Sequence, residues 1–498
     1  MNDALPKLAP IEPLAQLSGR VCSDLRARLV AAGYGGVLLR EAEAVAPAQL
    51  DAVRLPLVQR WLLRRADEGA RLALLFEYFG SLSRSEAERA LTAPLLEALL
   101  AAGAVEDRAG AITASVRLTP LDGLYLLSDP YRAGADAVMG PGPTTLDLVR
   151  AISEQPGSVL DVGCGAGTLA LVGAARGATR ALGVDVNDRA IALARLNARL
   201  NDLQAEFRCG DLLEPAAGEQ FDLVLSQPPY VVRPAGVAQV TYLHGGARGD
   251  ELALRFAAAF PQALSPRGRA LLLFDSPPAP DPVHERLRAA LGEQAVDLVV
   301  LAAPGPSADL AAVGYASTED PELGDGYRAA LERYRDHLDL LGAGPSARVL
   351  AILQRASGAT QATRLDAQLA VGGLSELDGA RLDRLLASLA LAGAAEPEVL
   401  AARVRLAPGA RLVEERLAGE LSREPARSIR FGKGALATSR ELSEAGAFLF
   451  AALEDSQTVA EAVAQFAEAS GETVQSVRPT VTGFVREGLS RALLVPAP

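Results

Sequence analysis

Residues 158–177 read SVLDVGCGAGTLALVGAARG, and this stretch decides the fold. A hydrophobic strand runs into a turn that contains Gly163, Gly165 and Gly167, and an alanine-rich helix follows. Glycines are needed where the backbone turns sharply and where a ligand comes close to the main chain. The amide groups at the start of the helix would face that ligand.

Strand and helix patterns alternate from Thr144 to about residue 355, which is typical of an α/β sheet. After the first strand, further strands are predicted at 180–186, 205–211, 221–227, 268–276, 295–303 and 347–355. The flanking regions are mainly helical. Three short helices precede a stretch at 111–129 that alternates like one hairpin, and this order favours a winged-helix-like domain.

Acidic residues stand at the ends of the first three strands, at Asp161, Asp185 and Asp211. An acid at the end of the second strand can accept both hydroxyls of a ribose. An acid after the third strand can accept an adenine amino group, and Asp161 can reach an ammonium group. This set suits a nucleoside that carries an amino acid better than a dinucleotide, since the acidic turn gives a pyrophosphate no favourable contact.

With these motifs in this order, residues 140–355 resemble the class I S-adenosylmethionine (SAM)-dependent methyltransferases. The resemblance implies an α/β, Rossmann-like sheet that binds SAM. It divides the chain into an N-terminal helical, winged-helix-like domain (1–130), a methyltransferase domain (131–355) and a C-terminal helical, winged-helix-like domain (356–498). The implied cofactor-binding residues are Asp161, Gly163, Cys164, Gly165, Gly167, Asp185, Val186, Asn187, Asp211, Leu212 and Gln227.

The fourth strand ends in Gln227-Pro228-Pro229-Tyr230. Methyltransferases that act on planar nitrogen carry Asn, Asp or Ser before Pro-Pro-Tyr or Pro-Pro-Phe at this place. A side-chain oxygen and the next backbone carbonyl can bind the two N–H groups of a poorly nucleophilic nitrogen and direct its lone pair at the methyl group. The prolines fix φ, and Tyr230 offers a face for stacking. We predict Gln227, Pro228 and Tyr230 as the catalytic residues.

Gln227 departs from the Asn of the motif by one methylene, which leaves two interpretations open. Nitrogen chemistry is retained with a target of different depth or shape, or the site has changed to another acceptor; we favour retained N-methylation. The predicted substrate pocket comprises Tyr131, Arg132, Pro229, Tyr242 and His244, and residues 141–145 are predicted lid contacts.

The substrate is predicted from the flanking domains and the overall charge. The last 55 residues or so resemble winged-helix domains that recognise leader peptides of modified peptides. The net charge of −12 lowers the expectation of nucleic-acid binding. We predict a peptide or protein substrate. The alternatives are an rRNA or DNA base, which would require arginines such as Arg132, Arg233 and Arg248 around the pocket, and a small metabolite, with the flanks as lid and homodimer arms.

A non-catalytic SAM sensor is a further alternative, but such a protein would not need the Pro-Pro turn.

The three cysteines lack metal-ligand spacing, so no metal is predicted and a reducing compartment fits. The N-terminus lacks a signal-peptide pattern, and no apolar run is long enough to span a membrane. These features predict a soluble, cytoplasmic protein.

Overall fold

The computed structural model describes most of the chain. The described residues are 8–46, 51–65, 67–130, 134, 136–277, 279–320, 323–342, 345–355, 366–370, 373–375, 377–416, 425–432, 437 and 439–497. Within them, no helix combines the length and the apolar composition that crossing a bilayer requires.

The N-terminal region is helical with two small sheets. Its elements are α1 (Ile11–Ala15), α2 (Gly19–Ala31), α3 (Gly36–Glu43), α4 (Asp51–Arg64), α5 (Glu68–Phe76), β1 (Leu82–Ser83), α6 (Arg84–Leu91), α7 (Ala93–Ala101), β2 (Val105–Arg108), β3 (Ala111–Ala114), β4 (Arg117–Leu121) and β5 (Leu124–Ser128). The stretch 111–129, predicted to alternate like one hairpin, contains a hairpin only in its second part, where β4 and β5 pair with each other, while β3 pairs with β1 and β2.

The central region alternates strands and helices. Its elements are α8 (Pro143–Ala151), β6 (Ser158–Val162), α9 (Thr168–Ala175), β7 (Arg180–Asp185), α10 (Asp188–Asn201), β8 (Glu206–Cys209), β9 (Phe221–Ser226), β10 (Val231–Val232), β11 (His244–Gly246), α11 (Glu251–Ala259), β12 (Leu264–Ser276), α12 (Val283–Leu291), β13 (Val296–Pro304), α13 (Ala308–Glu319), α14 (Asp325–Leu341), β14 (Ala347–Arg355), β15 (Asp366–Ala370) and α15 (Gly379–Gly393). All seven strands predicted for the sheet are confirmed.

The main sheet has eight strands in the order β15-β13-β14-β12-β9-β6-β7-β8. β14 runs antiparallel to both of its neighbours, and the other pairs are parallel. Successive side chains of a strand face opposite sides of a sheet, so Leu223 and Leu225 enter one core with α8, α9, α10 and α15, while Val224 enters the other with α11 and α12. Cores on both faces make this the predicted α/β, Rossmann-like fold.

The central region extends beyond the predicted boundary at residue 355. β15 continues the sheet by pairing with β13, whose edge would otherwise be open. Leu382, Leu385 and Leu389 of α15 then pack in the same core as Leu148 of α8. β15 and part of α15 therefore pack with the central sheet, beyond residue 355.

The C-terminal region is built from helices and short strands. Its elements are α16 (Glu396–Ala401), β16 (Val404–Leu406), β17 (Ala410–Glu415), β18 (Ala426–Phe431), β19 (Arg440–Leu442), α17 (Glu444–Asp455), α18 (Val459–Ser470), α19 (Val474–Ser490) and β20 (Leu494–Pro496). β16 pairs with β20, and β18 lies between β17 and β19.

Two buried asparagines of α10 join the N-terminal region to the central one. The side chain of Asn197 accepts a hydrogen bond from Leu127 N–H (2.7 Å) and donates one to Leu127 O (2.9 Å). Asn201 makes the same pair of bonds with Tyr125, at 2.8 and 2.7 Å. These residues are four apart and lie on one face of α10. Their side-chain amides therefore bind the backbone N–H and C=O groups along the edge of β5, as a neighbouring strand would.

Candidate functional site

A cavity of about 550 Å³ opens at the carboxyl ends of the central strands. It lies where the strand order reverses, with β7 on one side of β6 and β9 on the other, and α/β sheets bind ligands at such a point. The predicted site residues that line it are Asp161, Gly163, Cys164, Gly165, Asp185, Val186, Asn187, Asp211, Leu212, Gln227, Pro228, Pro229, Tyr230 and Tyr242.

The glycine turn has the backbone that its sequence predicts. Gly163, Gly165 and Gly167 have φ of +72°, +52° and +84°, a region that side chains with a Cβ rarely adopt. The main chain is tied to the end of β7, because Gly163 N–H donates to Val184 O (2.8 Å) and Gly165 N–H donates to Asp185 Oδ2 (2.8 Å). The turn therefore presents bare backbone to the cavity.

Gly167 serves packing, and in this it differs from the prediction that it contacts the ligand. It does not line the cavity. A Cβ at this position would lie 2.9 Å from the Cβ of Ala194 and 3.0 Å from the ring of Phe207. The third glycine of the turn thus allows α9 to start close to α10 and β8.

Asp161 is buried beneath the glycine turn, where the backbone N–H groups of Ala170 and Leu169 bind its carboxyl. Its Oδ2 accepts a hydrogen bond from Ala170 N–H (3.1 Å). Burial raises the pKa of Asp161 to about 7, and the neighbouring Asp185 adds to this shift. A cationic group in the cavity would offset both effects, so this carboxylate is suited to an ammonium ligand.

The other two acids are held at the rim. Asp185 Oδ1 accepts from Asn187 N–H (2.9 Å), and burial raises the pKa of the Asp185 carboxyl. Asp211 pairs with Arg255 NH2 at 2.5 Å, and both side chains line the cavity. Among the described lining residues Arg255 is the sole arginine, against three carboxylates, so the cavity wall carries excess negative charge.

Cys164 packs inward from the turn. Its side chain is 5% exposed and joins the core with Phe207, and burial raises the pKa of its thiol well above the ordinary value. A thiol in this state is a poor nucleophile. The residue therefore contributes to the wall of the cavity through its size.

The Gln227-Pro228-Pro229-Tyr230 turn forms the opposite wall. Pro228 is buried, and the other three residues are half-buried and line the cavity. Gln227 Oε1 accepts a hydrogen bond from Thr145 Oγ1 (2.9 Å), and its Nε2 donates to Thr144 Oγ1 (2.5 Å). The amide is thus held on both sides at the mouth between β9 and α8.

The glycine-rich loop after the turn supports it from behind. β10, which follows Tyr230, pairs in parallel with β11. Gly249 has φ of +93°, and a Cβ there would lie 2.5 Å from Tyr230 O. A Cβ on Gly245 would collide with the carbonyls of Pro229 and Gly249. Glycines are therefore required at both positions for the loop to lie against the turn.

His244 was wrongly predicted as a pocket residue. It is 1% exposed and does not line the cavity. Its Nδ1 accepts from Val240 N–H (3.1 Å), its Nε2 lies 3.4 Å from the hydroxyl of Tyr334, and burial lowers its pKa. The apolar cluster of α13 and α14 behind the turn accounts for this burial. Two further predicted pocket residues, Tyr131 and Arg132, lie outside the described residues.

Several lining residues were absent from the prediction. Leu252, Arg255 and Phe256 of α11 share one helix face, and their spacing of three and four could have indicated this. Thr318 comes from α13, far along the chain, and no local pattern points to it. The connector before α8 lines the cavity, together with the start of α8, through residues 137–145, of which 141–145 were predicted as lid contacts and 137–140 were not predicted. It is anchored where Asp129 Oδ2 accepts both Val138 N–H and Arg189 Nε–H, each at 2.8 Å.

Comparison with known proteins relates the chain to methyltransferases. The family described as "Methyltransferase small domain" matches residues 142–270. A putative protein N5-glutamine methyltransferase from Methanocaldococcus jannaschii is 35% identical over 162 residues, which are 31% of this chain and 78% of that protein. A release factor glutamine methyltransferase from Koribacter versatilis is 35% identical over 170 residues, 30% of this chain and 60% of the relative. A ribosomal protein L11 methyltransferase from Dechloromonas aromatica is 35% identical over 144 residues, 26% of this chain and 47% of the relative.

Proposed function

Because this chain belongs to the SAM-dependent methyltransferases, we propose that it methylates a nitrogen of a peptide or protein substrate. The acceptor nitrogen would be held by the Gln227-Pro228-Pro229-Tyr230 turn. The chain covers less than two thirds of the second and third relatives named above, so the substrate is inferred from the site itself together with their names.

The cavity residues fit SAM by shape and by charge. The bare backbone at Gly163 and Gly165 would admit the methionine part, and Asp161 would pair with its ammonium group. Asp185 would hold the ribose hydroxyls, and Asp211 would face the adenine. When bound, SAM supplies an electrophilic methyl group on a positively charged sulfur. The excess of carboxylates in the cavity favours that positive charge.

One observation carries the proposal. Gln227 and Tyr230 line the same cavity as Asp161 and Asp185, so an acceptor on the turn and the cofactor would share one enclosed space. Gln227 Oε1 uses one of its two acceptor sites for Thr145 and keeps the second. That site and the carbonyl of Pro228 can bind the N–H groups of a planar nitrogen. The nitrogen lone pair is then oriented for attack, and its surplus proton leaves to water after transfer.

The charge of the site favours a protein over a nucleic acid. Nucleic-acid binding needs basic side chains around the acceptor. Of the arginines that the nucleic-acid alternative would require, Arg248 contacts Asp250 at 3.2 Å, and Arg132 lies outside the described residues. The names of the relatives, which include protein N5-glutamine and ribosomal protein L11 methyltransferases, point in the same direction.

The experiment compares acceptor classes directly. Purified full-length protein is incubated with methyl-labelled SAM and, separately, with the protein, RNA and small-molecule fractions of a cell extract. We expect label in protein, released as methylamine on acid hydrolysis if the acceptor is a side-chain amide. Label that enters only RNA or only small molecules would overturn the proposed substrate.

Gln227→Ala tests the role of the turn. We expect SAM affinity measured by calorimetry to change little, while methyl transfer falls by about 100-fold, as on removal of an oxyanion-type contact. Gln204→Ala, on an exposed side chain outside the cavity, is the matched control. A collapse of SAM affinity with normal turnover at saturation would make Gln227 a cofactor residue instead.

A further inference from the structure

Two threonines at the start of α8 hold the Gln227 amide in one orientation. Gly142 N–H donates to Thr145 Oγ1 (3.2 Å), and Thr145 Oγ1 donates to Gln227 Oε1 (2.9 Å). On the other side of the amide, Gln227 Nε2 donates to Thr144 Oγ1 (2.5 Å). The hydroxyls therefore form a directional chain of hydrogen bonds from the α8 backbone through the amide.

The length of the glutamine side chain is what permits this arrangement. An asparagine at position 227 would withdraw the amide by one carbon–carbon bond, about 1.5 Å. Contacts of 2.9 and 2.5 Å would then exceed hydrogen-bond distance for an unchanged backbone. Gln227 and the threonine pair thus fit each other, which gives a physical reason for the departure from the Asn-Pro-Pro-Tyr motif.

The bond from Gly142 N–H favours one orientation of the amide, because it occupies a lone pair of Thr145 Oγ1 and leaves the hydroxyl proton of Thr145 to donate to the amide oxygen. A free glutamine side chain samples several rotamers and can exchange its oxygen and nitrogen by rotation about the last bond. Here the oxygen faces Thr145 and the nitrogen faces Thr144, so the second acceptor site of Oε1 has a fixed direction. Thr144 is 8% exposed, and its hydroxyl is therefore held in place by packing.

We propose that Thr144 and Thr145 are positioning residues that form, with Gln227, a threonine clamp on the acceptor-binding amide. The clamp orients Oε1 before the substrate arrives, and this pre-organisation lowers the cost of ordering the side chain on binding. Its catalytic consequence rests on the proposed function, because Oε1 must contact the acceptor nitrogen. The clamp itself does not depend on what the acceptor is.

The test observes the Gln227 side chain directly. Full-length, perdeuterated protein is labelled with ¹⁵N-glutamine, and the Gln227 NH₂ signals are identified by their loss in Gln227→Asn. In Thr144→Val we expect the protected amide proton to exchange with solvent about tenfold faster, the effect of one lost hydrogen bond. In Thr145→Val we expect a second set of Gln227 signals from the rotated amide, and Thr145→Ser should retain the single wild-type set.

The control is Thr179→Val, which alters an exposed threonine outside the cavity and should leave the Gln227 signals unchanged. Gln227 signals that are unaffected by both Thr144→Val and Thr145→Val would overturn the clamp. A second set of Gln227 signals in Thr145→Ser would also overturn it, since the serine keeps the hydroxyl. A failure of the wild type to methylate any protein would refute the proposed function. The threonine clamp would still be tested separately by the Gln227 NH₂ signals.

Transfer rates separate positioning from mere structure. With the protein fraction that accepts label, we expect Thr145→Val to lower the single-turnover rate at saturating SAM by about tenfold, by loss of one oriented contact. Thr145→Ser should restore the rate. An unchanged rate in Thr145→Val would overturn the catalytic part of the inference.

Discussion

We predict that Asp161 links pH to the stability of the fold and, through the proposed function, to SAM binding. Burial raises the pKa of its carboxyl to about 7 from an ordinary value of 3.8, and Asp185 adds to the shift. Since the folded-state pKa of this acid is raised, the folded protein retains a proton that the unfolded chain releases. The stabilisation from that proton is full below about pH 4 and is lost as the pH rises through about 7.

The size of the effect follows from the two pKa values. Each unit of pKa difference corresponds to about 1.4 kcal/mol. Between pH 5 and pH 8 the cofactor-free protein should lose about 3 kcal/mol of unfolding free energy through Asp161 alone. Asp161→Asn keeps the shape of the side chain and removes the titration, so the variant should lack this part of the pH dependence.

The assay is urea denaturation of wild type and Asp161→Asn without SAM, at pH 5, 6, 7 and 8. The difference between the two proteins isolates this carboxyl from other titrating groups. Equal pH dependence in both would refute the assignment of the proton to Asp161. Calorimetry gives a second readout, because SAM affinity of the wild type should rise about tenfold per pH unit from 5 to 7 and that of the variant should stay level.

Three further predictions concern other parts of the molecule. Asn197→Ala should lower the unfolding free energy, measured by urea denaturation, by about 3 to 5 kcal/mol, because Leu127 N–H and O lose their buried partners. A loss below about 1 kcal/mol would contradict the role of Asn197 in joining β5 to α10. Gly249→Ala should reduce both the rate of methyl transfer and the unfolding free energy, since its Cβ would displace the carbonyl of Tyr230. Normal activity would contradict this, because it would mean that the loop around Gly249 can shift without disturbing the turn. In the native protein one thiol, that of the exposed Cys209, should react with a disulfide reagent, and all three should react after unfolding; native reaction in Cys209→Ser would contradict this.

The residues at the strand ends, which line one cavity, are the part of the candidate site that the sequence places well. Asp161 and Asp185 lie near the carboxyl ends of β6 and β7, Gln227 directly follows β9, and the carboxyl ends of parallel strands meet at one edge of a sheet. A residue's position at a strand end therefore fixes its place in space, without knowledge of distant contacts. Gly167 was nevertheless predicted to contact the ligand. A glycine in such a turn can permit either the approach of a ligand or close helix packing, and the sequence pattern does not distinguish the two.

The acceptor side depends on contacts between elements that are distant in the chain. His244 lies two residues after Tyr242 in sequence, yet it turns away from the cavity into the cluster of Tyr334 and α13. A loop histidine in the sequence carries no sign of that partner, 90 residues further on. Separation along the chain also hid Thr318, which reaches the cavity from α13, and β15, which pairs with β13, a strand more than 60 residues upstream.

The Gln227 amide shows how a local departure from a motif is explained by a distant partner. In sequence, the extra methylene leaves two interpretations, retained nitrogen chemistry, which we favour, and a changed acceptor. In the structure the same methylene carries the amide to Thr144 and Thr145, more than 80 residues upstream, while one acceptor site of Oε1 remains available. A longer side chain that is held at both ends of its amide can present an oxygen as rigidly as a shorter one, so the substitution is compatible with unchanged chemistry at the nitrogen. This reasoning predicts that Gln227→Asn lowers the rate of methyl transfer, because the shorter side chain loses both threonine contacts. A Gln227→Asn variant with the full rate of methyl transfer would contradict it.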